Sequence, residues 1–454
     1  MTVPEPTALA HFPPDFVWGV ATSAFQIEGA ADADGKGASI WDRFCRVPGA
    51  IADGSNGDIA CDHYHRWRED LDLIAALGVD AYRFSVSWPR VRPGGSGAWN
   101  ERGLDFYERL VDGLLERGVK PYLTLNHWDL PAELQDSGGW AHRDTVHRFV
   151  EYALGVQARL GDRVSAVTTH NEPWVIAQLG HETGIFAPGH KSRAMAAQVS
   201  HHLLLSHGLA MQALRAAGGR SKLGIVLNLS PIHAATESLA DEAQAWLEDG
   251  RLLRWYMDPL FNAAYPQDVL ECLGTDAPRV EASDMAVIAT PMDFLGVNYY
   301  SRSVASADGS WEAKTGGFEL TDMGWEIYPD GLTELLLRLH RDYRVPPLYV
   351  KENGGAFKDR MVDGEVHDQD RVAYIAAHIA AVSSALTQGV PMAGYMVWSL
   401  LDNFEWASGC DKRFGIVHVD YATQRRTMKD SAQWYRAFLQ QQRAQRAATS
   451  SEGR

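Results

Sequence analysis

The sequence predicts a closed (β/α)8 barrel, and three observations carry that reading. Eight short runs rich in β-branched and aromatic residues are spread along the chain. Amphipathic segments separate them, several closed by glycine. Polar residues gather at the C-terminal ends of the runs, where barrels of this class build their active sites.

The first run starts near Phe16. Residues 69–77 alternate charged and apolar faces, Gly78 stops them, and a run from Ala81 follows. Residues 107–117 are closed by Gly118 ahead of a run from Pro121. Residues 146–160 end at Gly161 and lead to a run from Ala166, and residues 194–217 end at Gly218 before Leu223. The remaining runs start near Asp293, Leu348 and Ala393. Glycine in a left-handed conformation is the usual helix stop, which explains the punctuation. Strands alternating with helices imply parallel pairing through right-handed crossovers. A doubly wound open sheet is the alternative, and strand count alone does not exclude it. The barrel is favoured because His127, Asn171, Glu172, Asn298, Tyr300, Glu352 and Trp398 all fall at or just past strand ends. The long connections at residues 29–61 and 301–329 read as mouth loops.

The chain has 454 residues, 46% hydrophobic and 22% charged, as in ordinary globular proteins. Length alone would suggest two or three domains, but α/β barrels run large as single units. One catalytic barrel over residues 1–454 is expected, with a polar, frayed tail from about residue 440. The net charge of -16 and the lack of a Lys/Arg block argue against nucleic acid or an anionic membrane as partners. Residues 1–5 carry neither a basic nor an apolar leader, and no apolar run is long enough to span a bilayer. The scattered Cys45, Cys61, Cys272 and Cys410 form no C-x-x-C. Free thiols and a cytoplasmic location are the expectation.

Two glutamates carry the chemistry. One ends Ala166-Val167-Thr168-Thr169-His170-Asn171-Glu172-Pro173, the other Tyr349-Val350-Lys351-Glu352-Asn353-Gly354. Paired carboxylates at strand ends suit glycosidic bond cleavage. One protonates a leaving oxygen, while the other attacks or stabilises a sugar cation. Either motif alone would more often be a cap or a turn. The histidine pairs His63/His65, His181/Glu182 and His201/His202 complete no metal-ligand set. Gly35-Lys36 lacks the spacing and the Ser/Thr of a phosphate loop. Neither a metal nor an organic cofactor is expected.

Taken together, the motifs resemble glycoside hydrolase family 1, the β-glucosidase family, over nearly the whole chain. The run from Phe16 to Gly29 is similar to that family's N-terminal signature, and Trp398-Ser399-Leu400-Leu401-Asp402-Asn403-Phe404-Glu405-Trp406 to its sugar-binding segment. The resemblance implies Glu172 as acid/base and Glu352 as nucleophile. It implies a sugar site lined by Gln26, His127, Trp128, Asn171, Asn298, Glu405, Trp406 and Phe414, with Trp398 as stacking platform. Tyr300 and Arg83 would flank the nucleophile, and Trp325 would wall the leaving-group side. An adjacent cation such as Arg83 favours an ionised carboxylate, whereas burial and a neighbouring anion should keep Glu172 protonated. The implied activity is a retaining β-glucosidase acting on β-glycosides or short β-gluco-oligosaccharides, cellobiose included. A lean toward β-galactosides or β-fucosides is one alternative. A 6-phospho-β-glycosidase is disfavoured because an ionised Glu405 would repel phosphate. A thioglucosidase would lack Glu172, and a non-catalytic sugar-binding barrel would have lost a carboxylate.

Two residues depart from the family pattern. Lys351 stands where Thr is usual, and strand alternation predicts that it points away from the pocket, between barrel and helices. His181 stands where Tyr is common, which bears on the leaving-group side.

Overall fold

The computed structural model describes residues 12–452; residues 1–5, read above for a leader, lie outside them. Eight strands close into a barrel. They are β1 Val17–Ala21, β2 Ala81–Ser85, β3 Lys120–Asn126, β4 Ala166–Asn171, β5 Lys222–Asn228, β6 Phe294–Asn298, β7 Leu348–Asn353 and β8 Met392–Trp398. Each starts within one residue of its expected position. All neighbouring pairs are parallel, and β1 closes the ring against β8.

The outer helices include α1 His63–Leu77, α2 Glu101–Glu116, α3 Asp144–Leu160, α4 Arg193–Ala216, α5 Pro329–Asp342, α6 Gln369–Thr387 and α7 Asp430–Glu452. Gly78, Gly118 and Gly218 take φ of +75°, +71° and +77°, so the expected left-handed stops form there. Gly161 does not, because its φ stays helical at -68°. Short helices, among them Leu239–Asp249 and Trp255–Asn262, fill the β5–β6 connection. The connection at residues 301–329 supplies Ser301, Arg302, Ser303, Met323 and Trp325 to the cavity described below. Ser303–Ala305 pairs there with Ile232–Ala234.

The tail is not frayed from residue 440. Helix α7 runs on through Ala, Gln and Arg, all strong helix formers, to Glu452. Gln442 is buried, and Arg446 donates through Nη2 to the Phe16 carbonyl, docking the helix beneath β1.

The core has two layers. The larger lies between strands and helices, and it holds Trp18, Trp41 and Trp67. The smaller fills the barrel with Val17, Ala81, Tyr122, Ala166, Phe294, Tyr349 and Met396, and it reaches up to Trp398 and Phe414. The candidate site sits directly on this inner layer.

Candidate functional site

A cavity of about 490 Å³ opens at the C-terminal ends of the strands. Glu172 and Glu352 both line it, with His127, Trp128, Asn298, Tyr300, Trp325, Trp398, Glu405, Trp406 and Phe414.

Local irregularities aim the two glutamates. The β6–β7 register runs Val297 to Val350, then Asn298 to Glu352, so Lys351 is an extra residue in a bulge. The β4–β5 register also shifts between Thr168 and Asn171. Bulges redirect side chains and recur beside active sites. Glu172, Trp128 and Trp406 further take positive φ of 50°, 81° and 48°. Such backbone is costly for non-glycine residues and persists where the surroundings enforce it. Gly354 allows the close approach beside Glu352, since a Cβ there would lie 1.7 Å from the Trp398 carbonyl oxygen.

The two carboxylates differ in their partners. Glu352 accepts from Arg83 Nη1 at 2.5 Å and from the Tyr300 hydroxyl at 2.7 Å. Glu172 accepts from the Asn298 amide at 2.6 Å. Burial, and then the charge of Glu352, push the Glu172 carboxyl well above the ordinary range. Burial, with the same neighbour, raises Glu405 to about 8. His127 is held neutral by burial and by the Arg83 charge. Its Nε2 lies 3.2 Å from the Asn171 amide nitrogen, and Nδ1 has no partner among the described residues. Asn298 Oδ1 is likewise buried and unpaired. Buried polar atoms normally have partners, so two such atoms beside a cavity stand out.

Aromatic rings make the rest. Trp398 and His127 are near parallel, 5.7 Å apart with an interplanar angle of 15°. Trp406 packs on Trp128 and on Trp41, each at 4.5 Å, so Trp41 is a core residue that also backs the site. Tyr300, Trp325 and Phe414 form a second cluster with centroids 5.5 to 6.2 Å apart. Flat apolar faces beside polar atoms match the C–H faces and hydroxyls of a sugar.

Gln26, Asn171 and Arg83 stand behind the cavity surface rather than on it. Gln26 is fully buried and donates to Asn403 Oδ1, to the Phe404 carbonyl and, at 3.4 Å, to Glu405 Oε2. Asn171 Oδ1 accepts from Arg83 Nη2 at 2.6 Å and from Asn298 at 3.0 Å. Their hydrogen bonds hold Glu405, Asn298 and Glu352, which do line the cavity.

Two expectations are corrected. His181 does not reach the leaving-group side. It is buried, its Nδ1 donates to the Ile176 carbonyl at 2.8 Å, and it packs near His190. Lys351 does not lie between barrel and helices. Its amine sits inside the barrel, 4.2 Å from the ring centre of Tyr122 and 4.6 Å from those of Phe294 and Tyr349. Alternation holds from Tyr349 to Lys351, both inward, and the bulge then brings Glu352 to the cavity as well. Gly296 makes room, since a Cβ there would meet Lys351 Cγ at 2.7 Å.

Sequence reasoning missed much of the outer wall: Trp174, Val175, Leu179, Phe186, Arg302 and Met323. Trp174 and Val175 directly follow Glu172-Pro173, and that adjacency was the available signal.

A barrel with two differently held carboxylates in an aromatic, hydroxyl-ready cavity has the form of a glycoside-cleaving site. The comparisons place it more closely. The family model described as Glycosyl hydrolase family 1 matches residues 8–444, and the chain belongs to that family. A protein named beta-glucosidase from an Agrobacterium species is 46% identical, with 96% of this chain and 97% of that one covered. A bifunctional beta-D-glucosidase/beta-D-fucosidase from Bifidobacterium breve is 41% identical, with 94% and 98% covered. The structure of the family 1 beta-glucosidase from Thermotoga maritima is 44% identical, with a TM-score of 0.93 and 96% and 99% covered. That enzyme has also been solved with glucoimidazole, at a TM-score of 0.92, 44% identity and coverage of 95% and 99%.

Proposed function

We propose that the protein is a retaining β-glucosidase that removes terminal β-D-glucosyl residues from small β-glycosides and short β-gluco-oligosaccharides. The observation that carries this is the unequal environment of Glu172 and Glu352 in one cavity. Glu352, held by a cation and a phenol, is the nucleophile. Glu172, kept protonated, donates its proton to the glycosidic oxygen as Glu352 attacks the anomeric carbon. Glycosylation then neutralises Glu352. One cause of the raised Glu172 pKa disappears, and Glu172 can take a proton from the attacking water.

Trp398 is the platform for the sugar ring, and Glu405, held by Gln26, addresses its hydroxyls. The relatives named beta-glucosidase support glucose as the sugar, and the bifunctional relative supports some tolerance of fucose. Cellobiose breakdown in the cytoplasm is the setting we infer. No helix among the described residues is long and apolar enough to cross a membrane.

The test is hydrolysis of phenyl β-glucoside and cellobiose, with the anomer of the first-formed glucose read by proton NMR. β-Glucose supports the proposal; α-glucose, or no turnover of either substrate, overturns it.

A further inference from the structure

The outer cavity is uneven in its chemistry. The segment after β4 supplies the apolar Trp174, Leu179 and Ile185, with Ile185 exposed. The segment after β6 supplies Ser301, Arg302 and Ser303. Arg302 is the single Lys or Arg on the cavity wall among the described residues.

The Arg302 guanidinium is fixed from several sides. Nε donates to Glu326 Oε2 at 2.6 Å and Nη2 to Oε1 at 3.4 Å, while Nη1 donates to His233 Nδ1 at 3.0 Å. The rings of Phe318 and Tyr328 lie 4.9 and 4.6 Å from its central carbon. Glu326 is buried, and Arg302 is only 13% exposed. An arginine carries five N–H donors in a rigid fork. Three are committed among the described residues, leaving one on each terminal nitrogen.

Position decides what those donors can reach. Tyr300, two residues earlier, touches Glu352. Arg302 pairs with Glu326, the neighbour of Trp325, whose ring lies 5.5 Å from that of Tyr300. Arg302 thus stands on the Trp325 side of the cavity, the wall expected to face the departing group. Charge decides what they prefer. The ion pair with Glu326 cancels the positive charge, so the fork suits neutral oxygens rather than a carboxylate or phosphate.

We propose that Arg302 is a specificity-determining residue for the leaving group. Its two uncommitted N–H groups donate to hydroxyl oxygens of a departing sugar, whose C–H face lies on the apolar wall. The fork is already immobilised, so little side-chain entropy is lost on binding. The substrate class favoured is therefore β-linked glucose oligomers over apolar aryl glycosides. This rests on the β-glucosidase reading above.

The experiment compares kcat/KM for cellobiose and for phenyl β-glucoside, whose leaving group has no hydroxyl to bind. The variant is Arg302→Met/Glu326→Gln, which removes the cation and its buried counter-ion together, so no charge is stranded. The expected result is a loss of about tenfold or more on cellobiose, the size of two ordinary hydrogen bonds lost together. Phenyl β-glucoside should stay within about threefold, a margin well inside that effect. Arg302→Lys keeps a charge but loses the fork, and it should show the same selective loss if the double variant does not fold. Equal losses on both substrates would mean a structural role and overturn the proposal, as would no loss on cellobiose. Wild-type protein that cleaves neither substrate would overturn the β-glucosidase reading, and this inference with it.

Discussion

Arg83 donates to Glu352 Oε1 at 2.5 Å from one terminal nitrogen, while the other terminal nitrogen reaches Asn171 Oδ1 at 2.6 Å. A single guanidinium on β2 thus ties the end of β7 to the end of β4. Both partners in the Arg83–Glu352 pair are buried. A buried pair is kept for geometry more than for net stability, because desolvation offsets most of its attraction.

The first prediction separates the two roles. Glu352→Gly should abolish turnover, since no covalent intermediate can form, and azide should restore it as the α-glycosyl azide by a single inversion. Glu172→Ala still forms the intermediate on Glu352, so azide should give the β-glycosyl azide. NMR of the products checks this. The same anomer from both variants would show the roles to be misassigned.

The second prediction concerns the proton on Glu172. Burial is the larger cause of its raised pKa and Glu352 the next. Glu352→Gln removes the charge but keeps the shape. The Glu172 carboxyl should then titrate lower than in the wild type, yet still above an ordinary glutamate. Carbon NMR of the carboxyl groups reads this directly. An unmoved titration would mean that burial alone sets it and that the two glutamates do not communicate.

Most of the barrel was legible because strand periodicity and glycine stops are local signals. Ala166 and Leu348 start their strands where the β-rich runs begin, and Glu172 and Glu352 follow at strand ends. The errors come from properties that belong to pairs of elements. Strand alternation counted back from Glu352 puts Lys351 outside the barrel. The bulge that breaks that count exists only in the pairing of β7 with β6. The polarity of the tail is visible in the sequence and suggests fraying, whereas the docking of Arg446 on Phe16 is not visible there. Gln26 and Asn171 read as lining residues, but both are fully buried, held by side chains from elsewhere in the chain: Glu405 in the segment after β8 and Arg83 on β2.

The third prediction concerns Glu405. Below about pH 8 it carries a proton, so repulsion by an ionised Glu405 does not explain exclusion of a 6-phospho sugar at neutral pH. The anionic Glu352 and the lack of an unpaired Lys or Arg among the described cavity residues must do so. A 6-phospho-β-glucoside should therefore be cleaved at least about a hundredfold less efficiently than the plain glucoside, equivalent to roughly 3 kcal/mol. Discrimination should sharpen as pH passes 8. Preferential cleavage of the phosphorylated substrate would refute this. The same residue sets a slope in stability. Its folded pKa is raised to about 8, and an unfolded glutamate titrates near 4.3, so between those values the native state binds more protons. Stability then falls as pH rises through that window. Glu405→Gln should lower activity yet raise Tm relative to wild type, by more at pH 8 than at pH 5.

The last prediction concerns Lys351, whose amine is fully buried without a hydrogen-bond partner among the described residues. Two effects oppose each other. Three aromatic faces attract an ammonium, each by about 0.5–2 kcal/mol. Burial penalises the charge, and Arg83 and Lys222 add repulsion. Complete burial can move a lysine by up to roughly 5 pKa units, about 7 kcal/mol, which exceeds what the rings return. The amine's pKa is accordingly held well below the ordinary lysine range. In the unfolded chain it is charged below about 10.4. The unfolded state therefore binds more protons between the folded pKa and that value, and stability rises with pH across the window. Lys351→Met fills the same space without a charge to desolvate. It should raise Tm, more at pH 7 than at pH 9. Glu352 is not among the charges that act most on this amine, which are Arg83 and Lys222. Lys351→Thr should thus change kcat/KM by less than about tenfold, under roughly 1.4 kcal/mol, with the acidic limb of the pH profile in place. A lower Tm for Lys351→Met at both pH values would show that the aromatic cage holds an ammonium after all. An acidic limb raised by about one unit in Lys351→Thr would show that this ammonium tunes the nucleophile.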